Sequence, residues 1–396
     1  MTRLRRASVA LVSMGLLVLV AACAPGTPSS PSPSPSPSPT GDPNFVIRGN
    51  LARSLDAFES GGTARVAFMG GSVTTMEWTD QVEDYLRGKF PDTTFDFINA
   101  GLSGTPAELG AFRLEDDVFS HGRVDLLFLE FAVNGGSTEA MEGIVRHARA
   151  LSPAIDIVQI HVAADWFDDS LAKGVIPGVI VDHERVAEHY GNSSLHLYQE
   201  IYDRIVAGDF TSQQFFATMG VHPSAMGNTV YSSFVIHFLE TAWRLPNETP
   251  TPASTPPPMT AQPWEHGALV SYDEATSMTG FDQVTDWMPD LNGNLKAPVS
   301  LVASSTPGST ISFAFDGTMV GLYTVAGPDS AVVEYQIDGG DWMTQDTARD
   351  SWYPNDYYRL AGFVLSTSLS DGPHVITFRT TATDGSVFRL YRLMVG

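Results

Sequence analysis

The chain has 396 residues, 43% hydrophobic and 17% charged, which suits two cored domains and not a disordered acidic chain. Lys and Arg number 22 against 45 Asp and Glu, a formal net charge of −23. That sign argues against nucleic acid, which needs cations to displace counterions from phosphate, and against a polybasic membrane contact. The single Cys allows no intrachain disulfide and no Cys-based metal centre.

Residues 1–22 read as an export signal. Arg3, Arg5 and Arg6 form a positive start, and Val9 to Val20 an apolar run too short for a comfortable membrane span. The run ends in Val20-Ala21-Ala22-Cys23, which looks like a bacterial lipobox, so Cys23 is the expected lipidation site. An alternating Pro-Ser tract fills residues 23–43. It favours polyproline II and makes a semi-rigid stalk of about 60 Å at about 3.1 Å per residue. Lipid and stalk together predict a fold on the outer face of the cell membrane, attached through the anchor only.

Residues 44–245 alternate short apolar runs with stretches of helical spacing. Arg65 to Met69, Thr94 to Ile98, Val124 to Phe131, Ile155 to Val162 and Ser194 to Leu197 are strand candidates. Between and after them, Met76 to Phe90, Pro106 to Phe119, Ser137 to Leu151, Val179 to Tyr190 and Ser224 to Trp243 are helix candidates. Val82, Leu86 and Phe90, and likewise Ala140, Ile144 and Ala148, recur four apart. Continuous apolar strands separated by helices predict an α/β fold, a doubly wound parallel sheet covered on both faces. Its ligand sites lie beyond the carboxyl ends of the strands.

Residues 246–263 form a Pro/Thr-rich linker. The block 264–396 has almost no helical periodicity; Ile311 to Phe315 and Val333 to Ile337 alternate as half-buried strands do. Asp-Gly pairs begin at 316, 338, 371 and 384, each between strand-like runs, and each predicts a hairpin. The block reads as an antiparallel, jelly-roll-like β-sandwich. Trp342, Trp352, Tyr353, Tyr357 and Tyr358 gather near its 338 turn. Such rings either stack on sugars, Trp342, Trp352 and Tyr353 foremost, or fill the core and cover the first domain.

Four loops carry candidate chemistry. Gly70-Gly71-Ser72 follows the first strand, Asn99 to Thr105 the second with Gly104, and Val133-Asn134-Gly135 the third, while Met219-Gly220-Val221-His222 comes late. A Ser at the sheet's carboxyl edge can act as a nucleophile if a base is near. The order Ser, Gly, Asn, His resembles the four signature blocks of the SGNH hydrolases, the GDSL-type esterases, over most of residues 60–243. Asn99-Ala100-Gly101, Glu130 to Asn134 and Glu142 to Arg146 resemble a branch associated with ester hydrolysis on glycans. The resemblance implies Ser72 as nucleophile, His222 as base, and an oxyanion hole from the N–H groups of Ser72 and Gly104 with the Asn134 amide. It implies no cofactor and no metal, with an acylated glycan or small ester as substrate.

The family's Asp three residues before the His is here Met219, which cannot hold an imidazole N–H. Three readings stay open: a Ser72–His222 dyad oriented by a backbone carbonyl, a carboxylate such as Asp209 from elsewhere, or a site that only binds glycan. A thioesterase or lysophospholipase activity is a further alternative. Among other polar residues, Glu130 and His161 read as structural, and His183 and His189 lie at the wrong spacing to share a metal. Asp165, Asp168 and Asp169 read as an exposed acidic loop able at most to hold Ca²⁺, and Arg113 as the partner of an acidic neighbour.

Overall fold

The computed structural model describes residues 42–246, 255–348, 356–381 and 383–396. The expected signal peptide, Cys23, most of the stalk, Trp352 and Tyr353 lie outside the described residues. Among the described residues, no helix is long and apolar enough to cross a membrane.

The first domain is built on a six-stranded sheet: β1 (Phe45–Val46), β2 (Thr63–Gly70), β3 (Thr94–Gly101), β4 (Leu126–Glu130), β5 (Asp156–Ile160) and β6 (Ser193–Leu195). The order is β1-β6-β5-β4-β2-β3, with β2 to β6 parallel and β1 antiparallel at the edge. Every residue of β4 and β5 is buried, as expected of strands covered on both faces. The longer helices are α1 (Ala52–Glu59), α2 (Trp78–Lys89), α3 (Ala107–Leu114) and α4 (Thr138–Leu151), with the four-residue α5 (Asp168–Leu171) after them. Then come α6 (Gly178–Tyr190), α7 (Leu197–Ala207), the short α8 (Ser212–Phe215) and α9 (Ala225–Trp243). In α4 the Ser137 side chain accepts from the Ala140 N–H at 3.2 Å, while Ala140, Ile144 and Ala148 bury one face. The strand order reverses between β2 and β4: β3 is added on one side of β2, and β4, β5 and β6 on the other. A doubly wound sheet opens its ligand crevice at such a switch point.

The second domain is a sandwich of two antiparallel sheets. One contains β10 (Ser277–Thr279), β13 (Thr310–Asp316), β15 (Val332–Ile337), β16 (Met343–Asp346) and β18 (Pro373–Thr380). The other contains β9 (Ala268–Ser271), β11 (Asp282–Trp287), β12 (Val299–Ser304), β14 (Val320–Ala326), β17 (Arg359–Ser366) and β19 (Phe388–Val395). Of the four Asp-Gly pairs, only Asp338-Gly339 closes a hairpin: both residues have positive φ, and Gly340 N–H returns to Ile337 O at 2.9 Å. The pairs at 316, 371 and 384 instead join strands of different sheets, because chain leaving one layer of a sandwich must turn as sharply to enter the other.

The two domains share a core. Leu301, Tyr323, Val325, Leu360 and Met394 of the sandwich pack in one apolar cluster with Met69, Phe112 and Leu127 of the first domain. Between the sandwich's own sheets lie Val302, Phe313, Leu322, Ile376, Phe378 and Leu393. Strand β14 therefore buries all seven residues, one face in each cluster. The end of the linker is fixed as well: the Glu142 carboxylate on α4 accepts from the Met259 and Thr260 N–H groups and the Thr260 and Tyr190 hydroxyls.

Candidate active site

Ser72 stands directly after β2, at the head of a short 3₁₀ turn, Val73–Thr75. The turn is held on several sides. Thr75 donates to Ser72 O through its N–H at 3.0 Å and its hydroxyl at 2.7 Å, and Trp78 Nε1 donates to Val73 O at 2.7 Å. The Asn99 amide from the β3 end donates to Thr74 O at 2.8 Å. Asn134 lies against the same turn. A Cβ at position 71 would come 1.8 Å from its Oδ1, so any larger residue there would displace the Asn134 amide, and Nδ2 is the amide end farther from Gly71. Gly104 follows β3 with φ +71°, the conformation a sharply turned loop requires.

The fourth loop is a two-stranded hairpin, β7 (Phe216–Thr218) and β8 (His222–Pro223), in which Thr218 faces His222. Met219 and Gly220 form its turn, both with positive φ, and Val221 N–H reaches Thr218 O at 3.4 Å. This is the mirror-image turn that matches strand twist and favours Asn-Gly or Asp-Gly. A Cβ at Gly220 would also meet the exposed Asp165 carboxylate at 2.0 Å, a contact that Asp165 can relieve by turning aside. The Asp165 N–H donates to Gly220 O at 2.8 Å, pinning the loop after β5 to the hairpin.

His222 and Ser72, 150 residues apart, meet at 2.8 Å between Nε2 and Oγ. The other ring nitrogen, Nδ1, lies 3.1 Å from the Thr218 hydroxyl. The orienting partner is thus neither a backbone carbonyl nor Asp209, which instead accepts from Arg204 Nε at 3.1 Å. With Nδ1–H donating to Thr218 Oγ1, Nε2 is free to accept the Ser72 proton. Partial burial lowers the His222 pKa below the usual imidazole value, which keeps the ring neutral, and so able to accept, at neutral pH. Met219 turns away, 69% exposed.

Beneath this pair sits Glu130, the last residue of β4 and fully buried. Its Oε2 accepts from the Thr74 hydroxyl at 3.1 Å and, more loosely, from the Gly71 N–H at 3.4 Å, while Oε1 has no hydrogen-bond partner among the described residues. Burial pushes its pKa up to about 7 against the lowering effect of those hydrogen bonds. A carboxyl that binds its proton more tightly folded than unfolded adds stability at low pH. That stability is lost as pH rises from about 4.5 through about 7. At 1.36 kcal/mol per pKa unit the span is roughly 3 kcal/mol. Glu130→Gln is expected to flatten this dependence. Chemical unfolding at pH 5 and pH 8 checks it: the wild type should lose stability relative to the variant, and parallel behaviour would show that Glu130 titrates normally.

The remaining sequence candidates fall as follows. Arg113 is buried and pairs with Asp117 at 2.7 Å, and it also donates to Ala100 O at 2.6 Å and Gly70 O at 3.0 Å, tying the ends of β2 and β3. His183 is buried with Nε2 3.2 Å from Gly136 O, and exposed His189 lies 2.8 Å from Pro257 O, so the two do not meet. Asp165 and Asp169 are exposed and Asp168 half-buried. Trp342 carries the Arg379 guanidinium 3.8 Å above its ring, at the sandwich sheet opposite the one whose residues join the shared cluster. Thr218 is the site residue that sequence reasoning missed. A cavity of about 450 Å³ between the domains, lined by Asn99, Lys296, Tyr323 and Tyr391 among others, includes neither Ser72 nor His222.

No protein-family description and no curated protein matches the chain. Among solved structures, it is similar to a two-domain esterase active on acetylated mannans, at 22% identity over 89% of this chain and 97% of that one, with TM-score 0.76. The same esterase co-crystallised with mannopentaose aligns at 22% identity over 89% and 96%, with TM-score 0.73. An acetylxylan esterase from Geobacillus stearothermophilus aligns at 13% identity over 44% of this chain and 94% of that one, with TM-score 0.36. The chain therefore shares the fold of that two-domain esterase, an α/β domain on a mostly parallel sheet followed by an antiparallel β-sandwich.

Proposed function

We propose that this protein is a serine esterase that removes small acyl groups, acetyl above all, from poly- or oligosaccharides outside the cell. The observation that carries the reading is the 2.8 Å contact between His222 Nε2 and Ser72 Oγ at the sheet's switch point. In this reading Ser72 Oγ attacks the ester carbonyl while His222 Nε2 takes its proton. The developing oxyanion is received by the Ser72 and Gly104 N–H groups and Asn134 Nδ2, donors typically worth about 3–4 kcal/mol each. Collapse returns the proton to the departing sugar hydroxyl and leaves an acyl-Ser72 ester. Water, deprotonated by the same imidazole, then attacks that ester, and the acyl–Oγ bond breaks as the imidazole returns the proton to Ser72 Oγ, releasing acetate. No step needs a cofactor.

The glycan preference rests on the architecture shared with an esterase active on acetylated mannans. It is supported by Trp166, half exposed beside Asp165 and so close to the His222 hairpin, where an indole face suits a sugar ring. Acetate release from acetylated mannan, compared with hydrolysis of p-nitrophenyl esters of increasing chain length, tests the reading. Release from the glycan with acetyl preferred among the esters is expected. A preference for long acyl chains would make it a lipid or thioester hydrolase, and glycan binding without acetate release an inactive binder. Placement outside the cell belongs to the same proposal, through a lipid on Cys23 and the Pro-Ser stalk. Cys23→Ala should move the protein from the membrane fraction into the medium, and retention on the membrane would remove the anchor from the reading.

A further inference from the structure

Three side chains that the hydrolytic reading leaves unused converge at the other end of the same sheet edge. His161 directly follows β5 and His196 directly follows the adjacent parallel strand β6, so the register sets the two rings side by side, centroids 5.9 Å apart. Glu184, on α6, reaches over them. Its Oε2 lies 3.2 Å from His161 Nε2 and 3.3 Å from His196 Nε2, and the three atoms fall within 4.8 Å of one another. The other carboxylate oxygen is occupied: Oε1 accepts from Arg48 at 2.7 Å and from the Ser194 hydroxyl at 2.9 Å.

We infer that His161, Glu184 and His196 form a binding site for one divalent transition-metal ion, best suited to zinc. At metal–ligand bonds of about 2.0–2.1 Å, a tetrahedral ion holds its ligand atoms about 3.3 Å apart. That is the spacing of Oε2 from each Nε2. Two imidazoles and one carboxylate suit zinc or its neighbours and not calcium or magnesium, which take oxygen ligands. Arg48 and Ser194 supply the outer contacts that fix a ligating carboxylate with one oxygen turned inward. His161 is fully buried, whereas the Glu184 and His196 side chains are 23% and 17% exposed, so an ion can enter from that side and keep a water as fourth ligand. The bound ion would join β5, β6 and α6. Because Tyr198 N–H donates to His161 O and Asp165 N–H to Gly220 O, it would also brace the loop that holds the catalytic hairpin.

The test uses the full chain stripped with a chelator and titrated with Co²⁺ as a spectroscopic probe. One equivalent should bind with the intense visible bands of four-coordinate Co²⁺. Zn²⁺ should displace it, leave one zinc per chain by elemental analysis and raise the Tm by several degrees. His196→Ala should weaken binding by at least about tenfold, since it removes one of three protein ligands. His189→Ala, on the exposed end of α6, should bind as the wild type does. Absence of stoichiometric binding to the wild type, or undiminished binding to His196→Ala with unchanged circular dichroism, would overturn the site. Neither result depends on esterase activity, so this inference and the proposed function stand or fall separately.

Discussion

Ser72→Ala is expected to lower kcat on a short-chain ester by at least about 10⁴-fold with the fold intact, because among the described residues the Ser72 hydroxyl is the one hydrogen-bonded to His222 Nε2. The informative comparison is with Thr218→Val. A carboxylate partner both orients the ring and stabilises its cation, and losing one can cost on the order of 10⁴ in rate. The Thr218 hydroxyl only orients, through one neutral hydrogen bond worth about 1 kcal/mol, so removing it should lower kcat about tenfold or less. Met219→Asp should leave kcat unchanged, since position 219 points outward from a turn whose next strand carries the ring. It should raise the Tm slightly, because Asp tolerates the positive φ that Met219 adopts. Steady-state kinetics on the three variants decide the matter. Full activity in Thr218→Val would mean that another group holds the ring, and a faster Met219→Asp enzyme that the imidazole is poorly held.

Phe112→Ala is the second large effect expected, on stability. The ring is fully buried on α3, with its centroid 5.6 Å from that of Trp264, in the cluster that belongs to both domains. Truncating such a side chain removes its apolar burial and leaves a cavity, about 3–5 kcal/mol in all. Because the cluster is continuous across the domain boundary, the protein should unfold in one cooperative calorimetric transition, and the substitution should lower that transition as a whole. Two transitions with only the first displaced would mean that the cores are thermodynamically independent.

Strands β2, β4 and β5 could be read from the sequence because they are mainly apolar runs, and because the helices between them repeat every three to four residues; β3 carries Asp96 and Asn99 and β6 begins Ser193-Ser194, so those two were legible only from their place in the alternation. The segments that escaped are too short for periodicity to register: β1 has two residues, and the β7–β8 hairpin has strands of three and two. Helices α1 and α7 also escaped, although α7 carries Leu197, Ile201 and Ile205 four apart. The hairpin mattered most, since the Thr218–His222 pairing exists only once Met219-Gly220 is recognised as a turn of the Asn-Gly type. The shared core had a visible trace in Val320 to Ala326, which is apolar without alternation and so had to be covered on both faces. Alternation in β13 and β15 drew attention to a one-faced sheet instead.

Asn294 makes the two domains answerable to each other in chemistry as well as in folding. From the sandwich, its amide donates to Ser103 O at 3.0 Å and to Leu360 O at 3.1 Å, and its oxygen accepts from the Leu360 N–H at 2.8 Å. The residue after Ser103 is Gly104. In the proposed esterase, a graft of a foreign sandwich onto the first domain would therefore loosen the very peptide assigned to the oxyanion, and a hybrid that still bound polysaccharide would turn over slowly.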